Sequence, residues 1–495
     1  MLYFRMFITM LVSLYTVRIV LETLGVNDYG IYNVVGSIVT MFSFLSSTMA
    51  AASQRFFAFD LGRNDMLQLK KTFSITMIIY GIIAIMIIVL AETVGLWFLQ
   101  NKMDIPADRM SAAIWVYQFS IFTFLTTMLT VPYNAAIIAH ENMKVYAWVS
   151  IIEVILKLII VYLLVLFSYD KLKLYSILVF FVTLTTTYIY RAYCKKMYSE
   201  CRFSFYWDKH LFKEIIGYSG WNLFGAFAGV LNNQGVNIVL NLFFGPLVNA
   251  ARGIAIQVSG VLTQFVSNFV VASRPQITKQ YASGNNDQML RLVYKSSKFS
   301  FLLLFIISLP IISETDFIFS LWLKNVPEYV VLFTRLIVIS VLVDTFSFPL
   351  MAAAQATGKI AKYQAIVGGA MLLNLPVSYV FFIMGFPPPV VFYLAVINSV
   401  ICLFLRLILL KQMVKMPLRV FTTKVIFPVI PTIIISSGIV MLVLSEINYG
   451  ASRFIISFVT CVITSIVCTF VFSLTRNERA YFMQLIVSYK RKIGI

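Results

Sequence analysis

Val17–Asp65 reads VRIVLETLGVNDYGIYNVVGSIVTMFSFLSSTMAAASQRFFAFDLGRND. Two apolar runs flank a short polar break, Gly25-Val-Asn-Asp-Tyr-Gly30; Arg18 lies inside the first run and Arg55 closes the second. Runs this long cross a bilayer core of about 30 Å as helices. Closed barrels are the other spanning solution, but they need short alternating strands, and these runs are continuous. The pattern returns at Val236–Asp287, VNIVLNLFFGPLVNAARGIAIQVSGVLTQFVSNFVVASRPQITKQYASGNND. Val17-Arg-Ile-Val-Leu21 matches Val236-Asn-Ile-Val-Leu240, Gly25 matches Gly245, Ser53 matches Ser273, and Gly62-Arg-Asn-Asp65 matches Gly284-Asn-Asn-Asp287. A second block repeats too: Pro132-Tyr-Asn-Ala-Ala-Ile-Ile-Ala139 leads to Tyr146, and Pro349-Leu-Met-Ala-Ala-Ala-Gln-Ala356 leads to Tyr363. Two matched blocks in one order imply a duplicated lobe. An even number of spans per lobe gives both the same orientation in the membrane.

The rest of the chain fits that frame. It is 60% hydrophobic and 12% charged, outside the range of soluble domains. The expectation is an all-α polytopic membrane protein of about fourteen transmembrane helices. Residues 1–200 form an N-lobe with helices 1–6, and 201–415 a C-lobe with helices 7–12. Residues 416–495 add two C-terminal helices and a basic cytoplasmic tail ending Lys490-Arg-Lys492. The two six-helix lobes are pseudo-symmetric. The net charge of +19 sits in short loops, mostly those after even-numbered spans, so those loops and both termini read as cytoplasmic. Nucleic acid is not the expected partner of such scattered charge; anionic lipid headgroups are. No cleavable signal peptide is expected, because the first apolar run, Leu2–Leu21, reads as a span. The cysteines, Cys194, Cys201, Cys402, Cys461 and Cys468, form no CxxC pair. With two histidines, no HExxH, no phosphate-binding loop and no nucleophile elbow, the chain is not read as an enzyme. No metal site is expected.

Charges inside spans are the sharper signal, since each costs roughly 2.5–3.5 kcal/mol at a helix centre on insertion scales. Arg18 and Glu22 stand four apart on one helix face, and Glu153 and Lys157 repeat that spacing deep in the fifth span. Such pairs either tie helices together or line a polar cavity. Arg55 and Arg274 close matching spans, where an arginine either snorkels to the interface or guards a phosphate path. Arg252 lies a turn or two inside the eighth span, and a guanidinium fork suits phosphate. Arg18, Arg55, Lys157, Arg252 and Arg274 are therefore the candidate cationic lining. Asn237, Asn241, Gln257, Gln264 and Asn268 are candidate sugar-facing amides, although amide stripes also glue helices. Glu22, Glu153 and Asp344 are candidate ion carriers should transport be coupled to H+ or Na+.

The block Leu24-Gly-Val-Asn-Asp-Tyr-Gly-Ile-Tyr32, with Ser53-Gln-Arg55-Phe56 after it, resembles the Wzx-type polysaccharide flippases. These belong to the MATE-like multidrug/oligosaccharidyl-lipid/polysaccharide exporter superfamily, and the resemblance extends over essentially the whole chain. It implies a MATE-like fold in the bacterial inner membrane, no cofactor beyond a coupling ion, and a monomer. It also implies a function: alternating-access translocation of undecaprenyl-pyrophosphate-linked oligosaccharide for O-antigen or capsule assembly, alongside polysaccharide polymerase machinery. A MATE-type cation-coupled drug antiporter and a lipid II flippase are the alternatives on the same fold.

Overall fold

The structure, a computed structural model, describes residues 2–480 and 483–484, apart from 41, 104, 168, 324 and 449. The tail triplet Lys490-Arg-Lys492 lies outside them. The described residues are mostly helical, with no strand among them. In order the helices are α1 (Leu2–Thr40), α2 (Ser43–Gly62), α3 (Met66–Leu90), α4 (Leu96–Asn101), α5 (Met110–Ala139), α6 (Met143–Leu166), α7 (Lys171–Met197) and α8 (Lys209–Ala282). There follow α9 (Asn286–Ser313), α10 (Thr315–Trp322), α11 (Val330–Ala356), α12 (Ala361–Ile383), α13 (Val390–Val414), α14 (Leu418–Phe421), α15 (Phe427–Glu446) and α16 (Ala451–Cys468). Eleven of the described helical stretches are long and apolar enough to cross a membrane, and the chain is a multi-pass membrane protein.

One of those eleven is α8, 74 residues long. At about 1.5 Å per residue it would reach about 110 Å, far beyond one bilayer. Gly245 resolves the difficulty: its φ of 76° and ψ of −174° interrupt the helix, and Pro246 restarts it. Gly25 interrupts α1 in the same way, with φ 76° and ψ 166°. The paired glycines of the duplicated sequence are thus paired breaks in the backbone, 220 residues apart.

The repeat continues in the turns. Asn64 (φ 57°) ends the turn before α3 and Gly284 (φ 78°) the turn before α9, again 220 apart. Glu141 (φ 61°) follows α5 and Gly358 (φ 75°) follows α11, 217 apart, the spacing of Pro132 and Pro349. Polar caps start several helices: Asp65 accepts from Gln68 N, Asp170 from Leu172 N and Lys173 N, and Asp208 from His210 N and Leu211 N.

The chain packs as two units, Met1–Ala226 with Thr278–Asn285, and Phe227–Ile277 with Asn286–Ile495. In the first, α5 packs on α7, and Phe57, Phe73, Tyr133, Val149 and Tyr190 share a core. In the second, α11 packs on α13, with Val236, Val248, Phe319, Phe333 and Phe392 in the core.

Candidate functional site

The break at Gly245 builds a polar site within the second unit. Asn233 and Asn237 are one turn apart on α8 before the break, and Arg252 lies two turns beyond it. The arginine reaches back across the break: Nη1 donates to Asn237 Oδ1 at 3.1 Å, and Nη2 donates to Asn233 O at 2.7 Å and Oδ1 at 2.5 Å. These partners are neutral amides, so the buried charge is solvated without being cancelled. A guanidinium has five N–H donors, which leaves donors for a ligand.

Asn233 and Arg252 border a cavity of about 290 Å³ together with Asp344 on α11, Asn374 on α12, and Asn398, Ser399 and Arg406 on α13. Asn398, Cys402 and Arg406 recur every four residues, which puts them on one face of α13. Arg406 is buried, donating from Nε to Tyr363 Oη (3.2 Å) and from Nη1 to Ser347 Oγ (3.0 Å). Asn374 Nδ2 donates to Asn232 Oδ1 at 3.2 Å. Two guanidinium groups and one carboxylate leave this amide-lined cavity with a surplus positive charge.

The first unit holds two further pockets. One, of about 590 Å³, is lined by neutral groups including Tyr32, Asn33, Ser47, Phe119, Thr123 and Ser176. The other, of about 270 Å³, is bordered by Tyr32, Tyr175, Thr9, Thr16 and Lys157. Lys157 is tied to Glu153 at 2.7 Å, both half-exposed.

The remaining candidates are not among the residues that line the cavity of the second unit. Arg18 and Glu22 pair at 3.0 Å with 79% and 62% of their side chains exposed. Arg55 is buried, its guanidinium 4.6 Å from the Phe56 and Phe59 ring centres and 5.5 Å from that of Tyr218. Arg274 is half-buried, and Asn241, Gln257 and Gln264 are exposed. Asn268 is buried and donates to Gln264 O at 3.0 Å.

The sequence reading missed several charged groups. Arg406 carries the plainest signal, a lone arginine within Ile401–Leu410. Arg109 bridges Asp28, in the polar break, and Asp170, the cap of α7. Lys298, buried on α9, reaches Glu478 at 2.7 Å, and Arg453 reaches Glu314 at 3.1 Å. His140 Nε2 lies 2.6 Å from Glu200 Oε1 and stacks on Tyr198, with ring centres 4.0 Å apart. Against the desolvation that burial imposes, the His140 contact and a backbone N–H hold the Glu200 carboxyl below its ordinary value of 4.5.

Residues 226–380 match the family model MatE. No curated protein matches the chain in sequence. Among solved structures, the MATE transporter ClbM in complex with Rb+ superposes with a TM-score of 0.70 at 15% identity, covering 85% of this chain and 94% of that one. An outward-facing multidrug-resistance MATE transporter of the MOP superfamily superposes with a TM-score of 0.69 at 13% identity, covering 84% and 94%. A MOP superfamily transporter from Pyrococcus furiosus, described by a binding pocket of reversed polarity, scores 0.67 at 13% identity, covering 84% and 94%. At such identities the likeness establishes the fold, and that fold is the one of the MATE transporters.

Proposed function

We propose that the chain is a membrane transporter of the MATE/MOP type. Its cargo is polyprenyl-pyrophosphate-linked oligosaccharide, carried across the bacterial inner membrane by alternating access for O-antigen or capsule assembly. The observation that carries this reading is the surplus positive charge of the second unit's cavity. Arg252 is solvated by Asn233 and Asn237 rather than paired with a carboxylate. A pyrophosphate is the complementary ligand, because it accepts the parallel N–H bonds that a guanidinium fork presents. The amides and hydroxyls around it suit the hydroxyl groups of a sugar. Asp344, in the same cavity, is the residue proposed to carry a coupling H+ or Na+.

The rival is a cation-coupled drug antiporter, supported by the fold shared with multidrug MATE structures. A site for cationic drugs favours carboxylates, whereas the arginines here outnumber Asp344. Deleting the gene separates the two readings. The flippase reading expects a lipid-linked saccharide to build up on the cytoplasmic leaflet. New drug sensitivity without that accumulation would replace it with the antiporter.

A further inference from the structure

The segment between α7 and α8 has features that no transport step uses. After a tight turn at Ser199–Cys201 the backbone leaves helical geometry until Asp208 caps α8. Three aromatic side chains of this stretch stand in the open: Phe203 is 50% exposed, Phe205 79% and Trp207 51%. The exposed apolar groups along the spans have acyl chains as their solvent. These three lie between the end of α7 and the start of α8, outside the spans.

Their exposure is built. The segment is fastened at its start by the contact of Glu200 with His140 and by buried Cys201. In its middle Ser204 N donates to Ser74 Oγ at 3.4 Å, and Lys71 Nζ lies 5.1 Å from the Tyr206 ring centre. Asp208 fastens the end by accepting from His210 N and Leu211 N. Held at both ends and the middle, the loop projects its aromatics outward.

Charge decides what they meet. Arg202 on the segment, Arg191, Lys195 and Lys196 at the end of α7, and Lys209 and Lys213 at the start of α8 are all exposed. The segment's own two acidic residues are engaged, Glu200 with His140 and Asp208 in capping α8, and on the flanking helix ends exposed Glu214 stands against five cations. Aromatic side chains fit the boundary between acyl chains and headgroups, and flanking lysines and arginines draw anionic headgroups. An acidic protein would satisfy the cations and leave three large rings in water.

We propose that residues 202–209 are an interfacial anchor that seats Phe203, Phe205 and Trp207 in the bilayer surface and prefers anionic to zwitterionic lipid. The anchor is independent of which substrate the transporter carries. All five native cysteines are buried, so Phe205→Cys can be labelled selectively in the full-length chain with an environment-sensitive fluorophore. In phosphatidylcholine nanodiscs, brominated acyl chains should quench the label while aqueous iodide does not reach it. Replacing about a quarter of the lipid with phosphatidylglycerol should blue-shift its emission, and adding Arg202→Gln and Lys209→Gln should abolish that shift. A label open to iodide and blind to brominated lipid overturns the proposal, and so does identical emission in both lipid mixtures. Unlabelled protein gives an independent reading: Arg202→Gln/Lys209→Gln should retain about threefold less phosphatidylglycerol through detergent exchange. Undiminished retention also overturns the proposal.

Discussion

Arg252 is the residue on which the cavity turns. Its guanidinium reaches across the α8 break to amide partners and brings a positive charge to the cavity that Asp344 and Arg406 also line. Charge-assisted hydrogen bonds contribute about 1.5–3 kcal/mol, or roughly 10- to 100-fold in binding. Arg252→Ala should therefore cut transport at least about tenfold while expression stays normal. Arg252→Lys should recover part of it, because the charge returns without the fork. Undiminished transport by both variants would remove Arg252 from the site. The contact of His140 with Glu200 makes a different kind of prediction. The Glu200 carboxyl is held below 4.5 in the folded chain, so the contact stabilises fully above that pH and the stabilisation drains away as pH falls below it. Glu200→Gln should lower the melting temperature at pH 7 and have little effect near pH 3. An equal loss at both pH values would show that only packing is involved.

At the scale of elements, glycine decides where helices break. Gly25 and Gly245 adopt φ 76° with ψ near ±180°, a region essentially reserved for glycine, where a side chain costs of order 1–3 kcal/mol. Gly25→Ala and Gly245→Ala should each lower the melting temperature by several degrees. Gly30→Ala, in helical backbone with open space around it, should not. Gly62 differs again. A Cβ there would lie 2.6 Å from Lys279 O and 2.7 Å from Lys279 Cα, so Gly62→Ala must displace backbone, at about 1–3 kcal/mol. The pairing of Gly25 with Gly245 was legible because both residues do the same backbone work. The match of Gly62 with Gly284 was two residues out of register. The left-handed positions are Asn64 and Gly284, and asparagine tolerates that conformation well enough to stand in for glycine. Arg252 and Asp344, singled out by the cost of a charge inside a span, both line the second unit's cavity. Arg406 bears the same mark but sits near the end of its run. The amides at Asn241, Gln257 and Gln264 do not line the second unit's cavity: a stripe tells which residues share a helix face, not what that face meets.

At the scale of the whole molecule, a flippase and a drug antiporter can share one fold, so the fold does not choose between them. The sign of the charge moved does. Carrying an anion out of a negative interior is favoured by about 2.3 kcal/mol per charge per 100 mV. A pyrophosphate bearing about two charges gains about 4–5 kcal/mol, roughly three decades in its distribution between the leaflets. One-for-one exchange of a cationic drug against an inward cation moves no net charge and gains nothing from the potential. Purified protein in vesicles, with the potential clamped by valinomycin and a potassium gradient, reads the difference directly. Translocation of a fluorescent polyprenyl-pyrophosphate saccharide should rise steeply as the donor side becomes negative, and Arg252→Ala should lower the rate at every potential, because the charge that responds to the potential belongs to the substrate. A flat response in the unmodified chain, with efflux of a cationic dye in its place, would assign the fold to the antiporter.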